Sequence, residues 1–197
     1  MIAFHGSPCL FDRFDAAKIG VPARPLWPVK PGGVVGSEGW GIYLTNDRQY
    51  AATYAVQRWR YEIAPVSQGG GYVYDVQAPD GVYIDNERLC SEQPEPARTI
   101  LLEAVSRFDD LQLRQKGWLK YRIDNATGQN HYSQIGVLLR AYRMAGLPLE
   151  PNLIAAGHVG CKRRWDEETT VFTVFDPDHL QILSASPLLP SQMMEAA

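Results

Sequence analysis

Apolar and polar positions alternate along the chain with two different periods, and the switches between them outline the elements. Residues 1–7 are apolar as far as His5 and turn at Gly6, which predicts a first strand ending in His5-Gly6-Ser7. Residues 8–39 hold Pro22, Pro25, Pro28 and Pro31 among Gly32, Gly33, Gly36 and Gly39, a spacing that forbids a long helix or a central strand. Trp40 to Thr45 reads as a strand. Asn46 then reads as the cap of a helix over about 47–59, with Tyr50 and Tyr54, and Ala51 and Ala55, at helical spacing. Two strands follow, at 71–76 and 81–85, joined by Pro79-Asp80-Gly81. Helical periodicity returns over 95–108 and 131–146, and Gly146 and Pro148 stop the second of these. Residues 152–162 read as a short strand, Thr169–Phe175 as a β-rich run, and 179–184 as a last strand after the turn at Asp176-Pro177-Asp178.

Strands outnumber helices, and the helices interrupt the strands rather than alternate with them. The expected class is therefore α+β with a mostly antiparallel core. The expected domain is residues 1–185, with a helical insertion at about 90–147 and a loose tail at 186–197. A chain of 197 residues fits one domain and can bury a substantial core.

Composition removes several function classes. Nineteen Lys and Arg stand against 22 Asp and Glu, a net charge of −3, so the basic surplus of a bulk nucleic-acid binder is missing. No apolar run reaches the ~20 residues that span a bilayer. Cys9, Cys90 and Cys161 are odd in number and far apart, which argues against a disulfide framework or a zinc site, and no metal is expected. The first residues lack the charged-then-apolar plan of a secretory signal. A cytoplasmic setting is expected, or delivery into another cell without such a signal.

Two short constellations carry candidate chemistry. In His5-Gly6-Ser7, a residue without Cβ lets backbone N–H and C=O approach a flat ligand, flanked by polar side chains. In Gly39-Trp40-Gly41-Ile42-Tyr43-Leu44-Thr45, Tyr43 is followed eleven positions later by Tyr54. A strand followed by a helix can bring two phenol rings face to face as a slot for a planar cation. The alternative readings are a surface histidine at a turn and two ordinary core aromatics.

Taken together, His5-Gly6-Ser7, Gly41-Ile42-Tyr43 and Tyr54 resemble the NAD-binding core of ADP-ribosyltransferases of the diphtheria-toxin and poly(ADP-ribose)-polymerase type, in their His-Tyr-x form. The segments Tyr72–Val76, Gly81–Asp85 and Val174–Pro177 look like those of related modules in bacterial toxins and phage polyproteins. The resemblance implies a split β core and NAD as substrate. It implies that Gly6 holds the nicotinamide carboxamide through its backbone and that Tyr43 and Tyr54 sandwich the ring. It gives His5 and Ser7 the adenine-side ribose, and Gly41 a place in the cofactor-binding turn. Ala51 stands where the family often has a carboxamide-binding serine.

The third family position, usually glutamate, falls five residues before Asp176, on Val171. A carboxylate there would hold the ribose and stabilise the ribosyl cation, an effect worth several kcal/mol. Glu167 shares parity with Val171 but lies roughly 13 Å along an extended strand. Glu167 and Glu168 are thus candidates for catalytic help from a loop, and with Asp166 they read equally as a solvated turn. Lys162-Arg163-Arg164-Trp165 reads as a solvated turn or as a contact for a phosphate or an acidic partner.

The activity so implied is mono-ADP-ribosyl transfer from NAD to a macromolecular acceptor, most readily a protein, by a toxin or effector with an inhibitor or immunity partner. The alternatives are a silent NAD- or ADP-ribose-binding module and a non-enzymatic structural domain of a phage polyprotein.

Overall fold

The computed structural model describes residues 1–20, 39–62, 70–107 and 134–188. Within them, β1 (Ile2–Ser7), β2 (Ile42–Thr45), α1 (Arg48–Glu62), β3 (Tyr72–Gln77) and β4 (Val82–Asp85) form the first half. Then come α2 (Ala97–Arg107), α3 (Gln134–Met144), α4 (Glu150–Ala155), β5 (His158–Arg164), β6 (Thr170–Val174) and β7 (Gln181–Pro187). The seven strands make one sheet in the order β4-β5-β6-β2-β1-β3-β7. Every described pairing is antiparallel except β4 with β5. The class is α+β. The Pro/Gly-rich segment 21–38 and the tail from 189 lie outside the described residues.

The two faces of the sheet are covered differently. Ala3, Leu44, Tyr74, Val76 and Val174 bury one face under Phe11 and Phe14 of the segment after β1. On the other face the helices form two separate covers. Ala51 and Ala52 of α1 pack on Val73 and Phe4. Farther along, α2, α3 and α4 bury Leu101, Leu138, Leu139 and Leu153 against Ile84, Cys161 and Phe175. Between the two covers, among the described residues, no helix lies over part of β2 and β6.

Alanines bring α1 close to the sheet. Ala51, Ala52, Ala55 and Val56 are buried, so small side chains let the helix axis approach β1. At Gly6 an added Cβ would lie 1.9 Å from the Ala51 carbonyl oxygen. Glycine is required here by the helix crossing above it rather than by its own backbone angles.

Three expectations need correction. Asn46 does not cap α1. The first-turn amide of Gln49 is held by Asp47 Oδ1 at 2.8 Å, and the Asp47 amide by Thr45 Oγ1. Asn46 instead ties the end of β2 to the β5–β6 turn, donating to the Glu168 carbonyl and accepting from the Thr170 amide. Next, 152–162 is not one strand. Leu149 and Leu153, four apart and buried, dock a short helix with Pro151 in its first turn, and Gly157 at φ 88° ends it before β5 begins. Lastly, the final strand continues past 185, where Ser186 and Pro187 pair with Val73 and Tyr72.

Candidate functional site

Among the described residues, the strip between the helical covers is a cleft of about 220 Å³. It is lined by Phe4 and Gly6 of β1, Tyr43 and Thr45 of β2, Tyr50, Ala51 and Tyr54 of α1, and Val171 of β6. Arg163 and Trp165, at the end of β5, complete it. Residues from three separate motifs, Gly6, Tyr43 with Tyr54, and Val171, therefore meet in one place.

Strand pairing explains why a backbone amide is available here. Just before β1, the terminal amine of Met1 donates to the Ala78 carbonyl, and the Ala78 amide donates to the Met1 carbonyl. Hydrogen-bonded pairs alternate in an antiparallel ladder, so Ala3, His5 and Ser7 exchange bonds with β3, and Phe4 and Gly6 direct their N–H and C=O toward β2. The β1–β2 register consists of Phe4↔Thr45 and goes no further. The two strands part immediately before Gly6 would pair with Tyr43.

His5 holds that split open. Its Nδ1 lies 2.8 Å from the Tyr43 carbonyl oxygen, the acceptor a continued ladder would give to the Gly6 amide. A carbonyl can only accept, so Nδ1 carries the proton and Nε2 is the free-lone-pair nitrogen. The ring packs edge-on against Phe14 at 5.2 Å and Phe11 at 5.9 Å. Desolvation by these rings lowers the His5 pKa to about 4, against the opposing effect of the Tyr43 carbonyl; Arg58 lowers it further. His5 is neutral at physiological pH.

The remaining candidates are distributed as follows. The Tyr43 hydroxyl donates to the Gly39 carbonyl at 2.7 Å, which fixes the ring within the wall. Tyr54 is 39% exposed, at the open side. Val171 is 8% exposed and pairs with Thr45 on one side and Arg163 on the other. By alternation along β1, His5 and Ser7 face away from the cleft, into the layer of Phe11 and Phe14. Ser7 Oγ accepts from the Cys9 amide at 3.2 Å. Gly41 lies against β6, where a Cβ would meet the Val174 carbonyl oxygen at 2.4 Å, and is not part of the cleft lining. Glu167 and Glu168 are exposed in the β5–β6 turn, away from the lining, and Asp166 Oδ1 shapes that turn by accepting from the amides of Glu168 and Thr169.

Sequence reasoning left Arg163 and Trp165 undecided between turn and contact, and the structure puts both in the cleft wall. Trp165 leans toward Tyr50 with centroids 5.7 Å apart, and the Arg163 guanidinium carbon lies 5.6 Å from the Trp165 ring centre. The signal that could have located them is parity. Arg163 is directly opposite Val171, so any assignment of Val171 to the site carries Arg163 with it.

On α3, Arg143 stacks 3.7 Å over the Trp40 ring and pairs with Glu150, which is 1% exposed. Burial raises the Glu150 pKa, against the pull of its own backbone amide and of Arg143. Among the described residues, no helix is long and apolar enough to cross a membrane.

No protein-family model matches this chain, and no curated protein matches it. Among solved structures it is similar to a chain of the crystal structure of the M. tuberculosis MbcT–MbcA toxin–antitoxin complex. The match has a TM-score of 0.41 at 14% identity and covers 99% of this chain and 86% of that one. A likeness that distant bears on neither activity nor partners.

Proposed function

We propose that the cleft binds the nicotinamide end of NAD and that the protein is a mono-ADP-ribosyltransferase. The observation that carries this reading is the convergence of Gly6, Tyr43, Tyr54 and Val171 on one cleft beside a split in the sheet. The Gly6 N–H and C=O match the acceptor and donor of a carboxamide in the plane of the ring. Tyrosine faces suit a pyridinium cation. Because His5 occupies the Tyr43 carbonyl, the Gly6 amide is left for the ligand.

In this reading the C1′–N bond breaks as nicotinamide leaves with the bonding electrons. A nucleophile of the acceptor then forms the new bond to C1′ and loses its proton. Val171 supplies no charge to the ribosyl cation; the resemblance implies no chain elongation without the family glutamate, and transfer then depends on a carboxylate from the acceptor or on the 166–168 turn folding in from its place outside the lining. A toxin or effector role, with a protein acceptor and an inhibitory partner, belongs to this proposal through the resemblance alone.

A second reading is a module that binds NAD or ADP-ribose without turning it over. What favours it is that no carboxylate lines the cleft among the described residues. Calorimetric NAD binding, chromatographic assay of free nicotinamide and labelling of a target mixture by biotin-NAD separate the two. Transferase activity gives all three signals, and Tyr43→Ala and Tyr54→Ala abolish them while Val171→Ala changes little. Binding without nicotinamide release on prolonged incubation selects the silent module. No NAD binding at all ends both readings and leaves a structural domain.

A further inference from the structure

One wall of the cleft is fastened from outside it. The Tyr43 hydroxyl donates to the Gly39 carbonyl at 2.7 Å, and in the turn Gly39-Trp40-Gly41 only Trp40 has a side chain. Gly39 at φ 100° takes backbone that glycine adopts freely, so the turn has little stiffness of its own. The helical cover supplies it. An added Cβ on Gly39 would lie 3.2 Å from Leu139 Cδ1, and the Arg143 guanidinium carbon lies 3.7 Å from the centre of the Trp40 ring. Both of these partners belong to α3. Arg143 is itself held by α4, where its Nε and Nη2 donate at 3.3 Å to the two carboxylate oxygens of the buried Glu150.

We propose that Arg143 is a positioning residue for the Tyr43 ring. It acts through Trp40 and the Gly39 carbonyl, so the Arg143–Glu150 pair between α3 and α4 sets how tightly the cleft grips a nicotinamide ring. This rests on the reading of the cleft as a nicotinamide site and adds to it a control on affinity from outside the lining.

Each link has a physical reason. A bidentate pair with a buried carboxylate fixes the plane of a guanidinium, which a single contact would leave able to turn. A guanidinium this close to an indole is attracted to the ring and restrains it. Restraining Trp40 restrains Gly39, its neighbour in the chain, and with it the acceptor of the Tyr43 hydroxyl. His5 holds the Tyr43 carbonyl, so the residue is fastened at its backbone and at the far end of its ring. A ring fixed before the ligand arrives has no freedom to lose on binding, whereas one that must be ordered costs affinity. Neither Trp40 nor Arg143 is among the described lining residues, so changing them removes no wall contact from the ligand.

The test measures NAD binding by calorimetry in the wild type, Tyr54→Ala, Tyr43→Phe, Trp40→Ala and Trp40→Phe. Two double variants join them: Tyr43→Phe with Trp40→Ala, and Arg143→Met with Glu150→Gln, which removes the stack without leaving a buried charge. Thermal melts establish that each is folded, and either the Trp40 or the Arg143 change suffices if the other unfolds. Trp40→Ala and the Arg143 double variant are each expected to weaken NAD binding about fivefold, the worth of one side chain left to be ordered. Trp40→Phe, which keeps a ring beneath the guanidinium, should recover most of that loss. Tyr43→Phe should weaken binding by a similar factor, and Trp40→Ala should cost nothing further in its background. An equal Trp40→Ala loss with and without the Tyr43 hydroxyl overturns the proposal, because the effect then does not pass through the ring. NAD binding that is lost in Tyr54→Ala but unchanged in Trp40→Ala and in the Arg143 double variant also overturns it, and leaves the nicotinamide reading standing. No NAD binding by the wild type ends both.

Discussion

Gly6→Ala is the most incisive perturbation of the scaffold, because the space for one methyl can be read directly. The new Cβ would fall 1.9 Å from the Ala51 carbonyl oxygen and 2.9 Å from both the Ala51 carbonyl carbon and the Ala55 amide nitrogen. All three are helix backbone, so no side chain can swing away, and α1 must lift from β1. The gain from a stiffer unfolded chain is about 0.4–1 kcal/mol. Overpacking a well-filled site costs about 1–3 kcal/mol, and a backbone clash belongs at the upper end. The net expectation is a loss of about 2 kcal/mol. At about 2–4 °C per kcal/mol for a chain of this size, the melting temperature should fall by roughly 4–8 °C. Urea denaturation and thermal melts measure this directly. Gly160→Ala in β5 is the matched control, since its Cβ would meet the Thr173 carbonyl oxygen of β6 at 2.1 Å, outside the cleft lining. It should lose stability without the added loss of ligand binding expected of Gly6→Ala. If Gly6→Ala melts within a degree of the wild type, α1 does not cross β1 as described and the cleft wall is wrong.

Other outcomes follow from the buried titratable groups and from Val171. His5 has a folded pKa of about 4, below its ordinary 6.5. Stability is therefore complete above pH 6.5 and is lost as pH falls toward 4, by at most about 3 kcal/mol because the ring keeps some solvent contact. His5→Asn, which keeps a donor near Tyr43, should flatten this slope in pH-dependent urea titrations, and an unchanged slope refutes the assignment. Arg143→Met leaves Glu150 buried without its partner and should cost about 3–5 kcal/mol at pH 8. The loss should shrink toward pH 5 as the carboxyl takes a proton, and adding Glu150→Gln should restore much of it; equal losses at both pH values argue against a buried charge. Val171→Glu would place a carboxylate opposite Thr45 and Arg163. If the family position is correctly located and the new carboxylate ionises, nicotinamide release should rise by about tenfold or more. No rise in a folded, NAD-binding variant contradicts that placement.

The parts of the fold governed by local pattern were legible, and the parts governed by distant pairing were not. Alternation in Tyr72–Gln77 and the apolar periodicity of Gln134–Met144 give these elements to within a few residues. The α4–β5 junction is not legible because residues 149–162 mix apolar and polar positions without a clear period. The helix there depends on Leu153 reaching a core that other segments build. Asn46 and Asp47 are equally good caps by chemistry, and what decides between them is the β5–β6 turn, some 120 residues away, which takes Asn46 for itself. At the site, Gly6, Tyr43 and Tyr54 could be singled out because their spacing is local. Arg163 and Trp165 could not, because they enter the cleft through a cross-strand register with Val171. The direction of the His5 ring was open too, since it depends on Phe11 and Phe14 folding back beneath β1.

The central claim is that the split beside Gly6 is a nicotinamide site. A crystal structure of the protein soaked with NAD or nicotinamide tests it most directly. The account predicts a planar ring against Tyr43 and Tyr54, with its carboxamide on the Gly6 N–H and C=O. Density for the ring at any other place, or an empty cleft at saturating ligand, would contradict it.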